Sequence, residues 1–451
     1  MLRPSVGFGL SLPARKVRPA AAREVRKRLT AIRRSRAFLD WRKRRDLVDD
    51  LETQRKTIVH QVAEADATEA LDVMWQFTDL ANAVFERCDD SSGTVAGVFQ
   101  AAVSDLGGIA SAAGPGPRGP ADRAFEAMIQ NRYGQYGNLI GVLAPTLGQE
   151  GLEHLKQRMI EFSNAPVAPP ASEHRSKPER WFPGMIGEPK SAERIRRETA
   201  RRALRDIADA QGDVDAFIAQ YDPDTRKAPG VAAGIARRLL AAGRAEEALK
   251  ATDAAMHRAL GDPNRCYFHW EDARIDALES LGRTDEAQQV RWRCFERSLS
   301  ELHLRAYLKR LPDFDDIKAE EKALDHALEF RDRLTALSFL VSWPALDRAS
   351  TLVIHQAEDF DGDHYDILVL AADALAAKHP LAATLLLRAM IDFTLAWGKS
   401  TRYKHAARHL LECSSLSPAI SNFRTFETHE AYEARLRRNH ARKRSFWDSV
   451  P

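Results

Sequence analysis

A short motif occurs twice in this chain, at an interval of 39 residues. Residues 243–248 read Gly-Arg-Ala-Glu-Glu-Ala, and residues 282–287 read Gly-Arg-Thr-Asp-Glu-Ala. An amphipathic run precedes each copy, which predicts a helix, a tight turn at the glycine, and a second helix whose small alanine allows close packing. Helix pairs at this interval are typical of tetratricopeptide-like arrays, in which each pair buries its apolar face against its neighbours. The sequence therefore predicts an all-α fold built as a tetratricopeptide-like α-solenoid of stacked helix pairs.

Changes in composition along the chain predict four regions. They are a basic tail broken by prolines (1–21), an N-terminal helical domain (22–163), a Pro-rich linker (164–190) and the tetratricopeptide-like solenoid (191–451). The linker contains six prolines, and a loop of this length is unusual inside one compact domain. Residues 374–383 resemble the repeated turn, with Pro380 in a first-turn position, and predict a third helix pair.

Composition argues against several classes of protein. Apolar residues make up 44% of the chain, and no apolar run approaches the length needed to span a membrane, so no membrane association is predicted. The four cysteines, at positions 88, 266, 294 and 413, form no closely spaced pair. This spacing disfavours a disulfide framework or a structural zinc site and is consistent with a reducing, cytoplasmic location.

Positive charge is concentrated at the two ends of the chain. Residues 1–45 contain fifteen Lys and Arg against only Glu24 and Asp40, so their charge is +13 while that of the remainder is −10. Residues 435–444 are basic again. Such segments can bind nucleic acid, or they can form solvated helix faces that dock on the acidic body of the same chain. The second interpretation is favoured, because no RNA-binding strand motif or zinc knuckle accompanies the charge.

Two polar or glycine-rich stretches have local structural explanations. Residues 114–119 (Gly-Pro-Gly-Pro-Arg-Gly) match the dinucleotide pattern GxGxxG, but a predicted helix precedes them and their two prolines lack the N–H groups that bind a pyrophosphate. They predict a linker between helices. Asp66 with Glu69 predicts a capping box, and the Asp- and Ser-rich residues 88–93 predict a turn that caps the next helix.

His405, His409 and Cys413 are spaced four residues apart, so one helix face could present all three to a soft metal ion. The sequence supplies no fourth ligand, and helix packing produces the same spacing. Packing is favoured, and a metal site remains the alternative.

Residues 359–366 are rich in aspartate and resemble a calcium loop. Gly362 comes too early for that motif and Leu370 stands where its last glutamate belongs, so we predict a polar loop with Asp363 as a helix cap. No motif for nucleophilic catalysis or phosphate binding is found. We therefore assign no catalytic, cofactor-binding or metal residues, and no cofactor.

Several segments together carry a resemblance to a known group of proteins. They are residues 38–41 (Phe-Leu-Asp-Trp), 88–93, the two Gly-Arg turns, 402–407 (Arg-Tyr-Lys-His-Ala-Ala), 429–432 (His-Glu-Ala-Tyr) and 446–447 (Phe-Trp). Over residues 22–447 the chain resembles an uncharacterised family of bacterial helical proteins, common in alphaproteobacteria. That family is similar to the helical region after the zinc module of SWIM zinc-finger proteins.

The resemblance does not carry over the zinc chemistry, because this chain lacks the CxC and CxH pairs of the SWIM module. It also implies a further helical segment ahead of Ala22, which leaves the true start of the chain open. The leading prediction is a non-enzymatic scaffold that binds an unknown protein or peptide partner along a concave helical surface. The alternatives are nucleic-acid association through residues 1–45 and 435–444, or an enzyme whose site residues are scattered along the sequence.

Overall fold

A computed structural model of the protein describes residues 18–40, 44–165, 189–261 and 266–450. The secondary structure of these residues is helical, apart from an isolated parallel bridge between Leu39 and Cys88. The prediction of an all-α protein is therefore confirmed. The chain divides into two compact units, Met1–Pro223 and Asp224–Pro451.

The described part of the first unit contains helices α1 to α10. They are α1 (Arg18–Arg34), α2 (Arg44–Thr57), α3 (Ala63–Ala65), α4 (Ala67–Thr78), α5 (Ala81–Phe85), α6 (Thr94–Ala113), α7 (Arg118–Ile129), α8 (Leu139–Asn164), α9 (Pro189–Gln211) and α10 (Val214–Ala219). A π-helical turn, Ile58–Val62, joins α2 to α3. The core forms where α4 and α8 pack against α6, with the rings of Phe77 and Phe99 5.6 Å apart.

The first helix begins four residues earlier than the sequence analysis expected. Pro19 lies in the first turn of α1, where its missing N–H has no intrahelical partner to lose and its fixed φ suits a helix. Ala22, Val25 and Leu29 are buried and attach α1 to the core of the first unit. The remainder of the proposed basic tail, residues 1–17, lies outside the described residues.

Helix α9 packs on α8, although the sequence analysis assigned it to the region that begins at residue 191. Ala203 and Ile207 on its apolar face belong to the same core as the helices before it. Of the predicted linker, Asn164 ends α8 and Pro189 begins α9, whereas residues 166–188 lie outside the described residues.

In the part of the chain that the structure describes, α6 alone is long and apolar enough to cross a membrane by length and composition. The sequence analysis expected no such run. Phe99, Ala102 and Leu106 of this helix are fully buried, and α6 packs on α4 and α8. Its apolar composition is therefore that of a core helix, which needs apolar residues on several faces.

The described part of the second unit contains helices α11 to α23. They are α11 (Pro229–Ala241), α12 (Ala245–Leu260), α13 (Phe268–Ser280), α14 (Thr284–Ser298), α15 (Glu301–Leu308), α16 (Asp315–Glu329), α17 (Arg333–Ser342), α18 (Leu346–His355), α19 (Tyr365–Ala376), α20 (Pro380–Ala396), α21 (Tyr403–Leu416), α22 (His429–His440) and α23 (Arg444–Trp447). Helix α11 packs on α12 and α13, and α13 packs on α14. Phe446 of α23 is fully buried in the core formed by α20 and α21.

The repeated motif forms the same turn at both of its occurrences. Gly243 has a φ of +74° and Gly282 a φ of +72°, a backbone conformation that suits glycine because it has no Cβ. The N–H of Arg244 donates to the Leu239 carbonyl at 2.8 Å, and the N–H of Gly243 donates to Leu240 at 2.9 Å, which together form a Schellman motif. The predicted helix–turn–helix units are thus present as α11–α12 and α13–α14.

The next residues of the motif form an ion pair at the start of the second helix of each pair. Arg244 donates from Nε and Nη2 to the two carboxylate oxygens of Glu247, both at 2.7 Å. Arg283 and Glu286 repeat this contact at 2.6 Å. The alanine that ends each motif is fully buried, as the sequence predicted. Helices α19 and α20 form the predicted third pair, with Pro380 in the first turn of α20.

Candidate functional site

A groove of about 660 Å³ opens on one side of the repeated helix pairs in the second unit. Helices α11, α13 and α15 supply most of its walls, and α14 contributes one arginine. The lining residues are Arg237, Phe268, Asp272, Ile275, Asp276, Glu279, Arg291, Ser300, Leu302, His303, Ala306 and Arg310. Those of α13, at positions 268, 272, 275, 276 and 279, follow the helical repeat, so a single helix face carries them.

Three of the lining residues form a hydrogen-bonded chain. The Ser300 hydroxyl lies 2.8 Å from Nδ1 of His303, and Nε2 of His303 lies 3.1 Å from Oδ1 of Asp272. A neutral imidazole carries one proton, so the consistent assignment has Ser300 donating to Nδ1 and Nε2–H donating to Asp272. The ring of His303 is buried and stacks on Phe268, with the ring centroids 5.7 Å apart. These contacts fix the orientation of the imidazole.

Charged groups of both signs line the rest of the groove. Glu279 accepts from the buried Arg291 and forms an ion pair with Arg310 at 3.0 Å, so its charge is compensated. Desolvation in the groove wall, followed by the nearby Asp272 carboxylate, raises the pKa of Asp276. The groove therefore offers arginines and carboxylates side by side, with no large excess of either charge.

Apolar side chains are exposed at the same place. Leu302 is 80% exposed although it is a large aliphatic residue, and Phe268 is also exposed. Both line the groove. A groove of this volume with apolar and polar groups together can hold a few side chains of a peptide or a small organic molecule.

The structure does not bring the predicted metal candidates together. His405 is exposed, whereas His409 and Cys413 are buried, and Cys413 Sγ contacts the Thr384 carbonyl oxygen at 3.9 Å. Burial raises the pKa of the Cys413 thiol to about 12, which disfavours the thiolate that binds metals. The described residues contain no group of three His, Cys, Asp or Glu placed to hold a metal ion.

His409 has a structural role between α19 and α21. Its Nε2 lies 2.8 Å from the Tyr365 hydroxyl and its Nδ1 lies 2.8 Å from Glu412. Burial lowers its pKa, although Glu412 acts in the opposite direction. Burial also lowers the pKa values of His429 and His440.

We expect the second unit to lose stability as the pH falls below about 6.5, the ordinary histidine pKa. A group whose pKa is lower in the folded state binds protons more readily when unfolded, so its stabilising contribution is complete above the unfolded pKa and declines below it. Urea unfolding at pH 7.5, 6.5 and 5.5 measures this decline. The His409→Gln variant should show a shallower pH dependence than the matched variant His405→Gln. Equal slopes for both variants would contradict the assignment to His409.

Within the acidic stretch 359–366, residues 360–364 form the expected loop before α19, but Asp363 does not cap that helix. Its carboxylate accepts from Arg402 at 2.7 Å, and His364 occupies the N-cap position of α19. Arg402, in the turn before α21, pairs with the Asp363 carboxylate and so competes with the capping role. Arg402 is distant from Asp363 in sequence. Gly362 lies directly against the backbone of α20.

Of the other predicted local motifs, the capping box at Asp66 is only half formed, because the Asp66 N–H donates to the Val62 carbonyl and the Glu69 carboxylate accepts from Arg26. Asp66 accepts from the N–H groups of Thr68 and Glu69 at 3.0 and 3.1 Å. Asp90 caps α6 by accepting from Val95 and Ala96. Residues 114–117 link α6 to α7, so the GxGxxG match follows a helix and has no dinucleotide-binding context.

Some basic residues near the chain ends pair with carboxylates of their own unit. The ion pairs are Arg26–Glu69 at 2.9 Å, Arg28–Asp50 at 2.7 Å, Arg435–Glu427 at 2.9 Å and Arg437–Glu433 at 2.7 Å. These pairs are at least partly exposed and contribute little to stability, but they neutralise part of the charge that could attract nucleic acid.

Sequence reasoning named none of the groove residues. Ser300 and His303 are three residues apart at the start of a helix, a spacing that indicates a cap before it indicates chemistry. Asp272 lies on a different helix, and only the packing of α13 against the start of α15 brings it to His303. The available signal was the position of Ser300 and His303 directly after the second repeat, at the start of α15.

Comparison with known proteins gives limited further information. Among curated proteins, none matches the chain. A solved structure described as a "Circular tandem repeat protein with novel repeat topology and enhanced subunit contact surfaces" is 13% identical over 97% of this chain and 95% of that chain. The TM-score is 0.17, below the level at which two structures share a fold. A family model for a "Family of unknown function (DUF6880)" matches residues 8–449, and the chain therefore belongs to this family.

Proposed function

We propose that the protein is a helical-repeat scaffold that holds a peptide segment of a partner protein in the groove lined by α11, α13 and α15. The observation that carries this proposal is the position of the groove on alternate helices of consecutive pairs. In tetratricopeptide-like solenoids, stacking of helix pairs places equivalent helices side by side and creates an extended concave binding surface. The lining of this groove by α11 and α13, the first helices of the two repeated pairs, and by α15, which follows them, supports the proposal.

The chemistry of the lining supports a peptide. Leu302 and Phe268 expose apolar surface to the groove, and Arg237 and Asp276 place opposite charges near it. A peptide can bury an apolar side chain against the first two residues while its charged side chains and backbone amides meet the others. Apolar anchors surrounded by polar contacts are typical of protein interfaces.

The test is affinity purification of the tagged full-length protein from its host organism, with and without nuclease. We expect one protein in near-stoichiometric amount, unaffected by nuclease, and its loss from the groove variants Leu302→Asp and Arg237→Glu. The matched control is Leu370→Asp, because Leu370 is 67% exposed on α19 and does not line the groove. Neither leucine is buried, so both substitutions leave the folded core unchanged.

Two results would overturn the proposal. One is a partner that the groove variants retain at the level of the wild-type protein, which places the binding surface elsewhere. The other is a broad set of proteins that disappears with nuclease, which favours nucleic-acid association through the basic ends of the chain. Binding of that kind weakens steeply with salt and depends on residues 1–45.

A further inference from the structure

We infer that Ser300 is an activated nucleophile that takes the acyl group of carboxylic esters entering the groove, with His303 as its base. This activity goes beyond the proposed peptide binding and does not depend on it. It rests on the hydrogen-bonded chain from Ser300 through His303 to Asp272, all three of which line a groove that admits a ligand.

With the imidazole tautomer assigned above, the hydrogen bonds are those that a nucleophilic serine requires. Nδ1 of His303 accepts from the Ser300 hydroxyl at 2.8 Å, and Nε2–H donates to the Asp272 carboxylate at 3.1 Å. In Ser-His-Asp hydrolases Nε2 faces the serine and Nδ1 faces the aspartate, so the two ring nitrogens are exchanged here. The roles are preserved, because the nitrogen facing the serine is unprotonated and the carboxylate stabilises the imidazolium that forms.

Helix α15 adds donors for the negative charge of the reaction. Ser300 is its N-cap residue, and the first intrahelical bond of the helix runs from the Leu304 N–H to the Ser300 carbonyl at 3.1 Å. The amides of the first turn, at residues 301–303, precede that bond and have no acceptor within the helix. They and the positive end of the helix dipole are the groups available to an oxyanion formed beside Ser300.

The reaction proceeds in two balanced steps. Ser300 Oγ attacks the ester carbonyl carbon while its proton passes to Nδ1 of His303, and the tetrahedral intermediate collapses to acyl-Ser300 as the departing alkoxide takes that proton. Water then attacks acyl-Ser300, giving its proton to Nδ1, and collapse releases the carboxylic acid and returns the proton to Ser300. The sum is ester plus water to acid plus alcohol.

The groove indicates the class of ester. Phe268 stacks on His303, and both Phe268 and Leu302 line the groove with Ser300, so the groove offers apolar surface to a substrate. Arg237 and Arg310 line the same groove. We therefore expect esters with an aromatic or short aliphatic part, and a carboxylate or phosphate elsewhere in the molecule is compatible with the two arginines.

The experiment treats the full-length protein with a fluorophosphonate probe, which phosphonylates an activated serine and releases fluoride, and locates the adduct by peptide mass spectrometry. Hydrolysis of p-nitrophenyl acetate is followed in parallel. We expect an adduct on Ser300, and ester hydrolysis above that of Ser300→Ala and blocked by the probe. The matched control Ser298→Ala should behave as the wild type, because the Ser298 hydroxyl donates to the backbone carbonyl of Cys294 instead of to an imidazole.

Two further variants separate catalysis from a structural role. His303→Gln keeps a polar side chain but has no base, and we expect adduct formation to slow by about 100-fold or more. Asp272→Asn keeps the size of the side chain and should also slow it. Absence of a Ser300 adduct in the folded wild-type protein, or ester hydrolysis equal to that of Ser300→Ala, overturns the inference. The contacts of Ser300 and His303 would then have only a structural role at the start of α15.

Discussion

Replacing Gly362 with alanine is expected to destabilise the second unit by about 3 kcal/mol, the upper part of the range for overpacking a tight contact. A Cβ at position 362 would collide with the carbonyl oxygen of Ala389 and lie 2.6 Å from its carbonyl carbon. It would also lie 2.7 Å from Cβ of Phe393. These atoms belong to the interior of α20, so relief requires the loop or the helix to move.

Hydrogen exchange followed by mass spectrometry measures this loss, with peptides of α20 reporting on the second unit and peptides of α6 serving as an internal reference. The control is Gly230→Ala in α11, where an added Cβ meets no atom within 4 Å. That substitution should be neutral or stabilise by about 0.5–1 kcal/mol, because alanine loses less backbone entropy on folding. Unchanged protection of α20 in Gly362→Ala would show that the loop does not rest on the helix.

Gly362 shows which features of the fold could be predicted from the sequence and which could not. Its position excluded a calcium-binding motif, but the positive reason for a glycine is the approach of the loop to Ala389, which is distant in sequence. The turns at Gly243 and Gly282 were predictable because their hydrogen bonds join residues only three to five positions apart. The caps at Asp66 and Asp90 were predictable for the same reason.

Predictions failed or were missing where a partner from another helix decides the outcome. Asp363 pairs with Arg402 instead of capping α19. Helix α9 was assigned to the region after the linker, but its packing on α8 places it in the first unit. The groove depends on contacts of this kind, since 31 positions separate Asp272 from His303. Periodicity and composition carry no information about such pairs.

Replacing Trp270 with alanine should have the second large effect, about 3–5 kcal/mol, as is usual for loss of a buried aromatic side chain. Trp270 is only 2% exposed and belongs to α13, the first helix of the second repeat. Its indole N–H donates to the carbonyl of Thr252 in α12 at 3.0 Å. The substitution therefore removes both packing and a hydrogen bond between two consecutive helix pairs.

A graded series separates these two contributions. Trp270→Phe retains most of the packing and loses the hydrogen bond, so its stability should lie between those of the wild type and Trp270→Ala. Trp397→Ala is the matched control, because Trp397 is 71% exposed in the same unit and its loss should change stability by less than about 0.5 kcal/mol. Urea unfolding monitored by circular dichroism at 222 nm avoids dependence on tryptophan fluorescence.

The distribution of lost hydrogen-exchange protection in Trp270→Ala tests how cooperatively the helix pairs unfold. If helix pairs stabilise one another mainly through nearest neighbours, as in repeat proteins, amides of α12 and α13 should lose more protection from hydrogen exchange than those of α20 and α21. Equal loss throughout the second unit would instead identify a single cooperative core. In that case the groove would be a surface feature of a globular domain, and extended binding along stacked repeats would lose its physical basis.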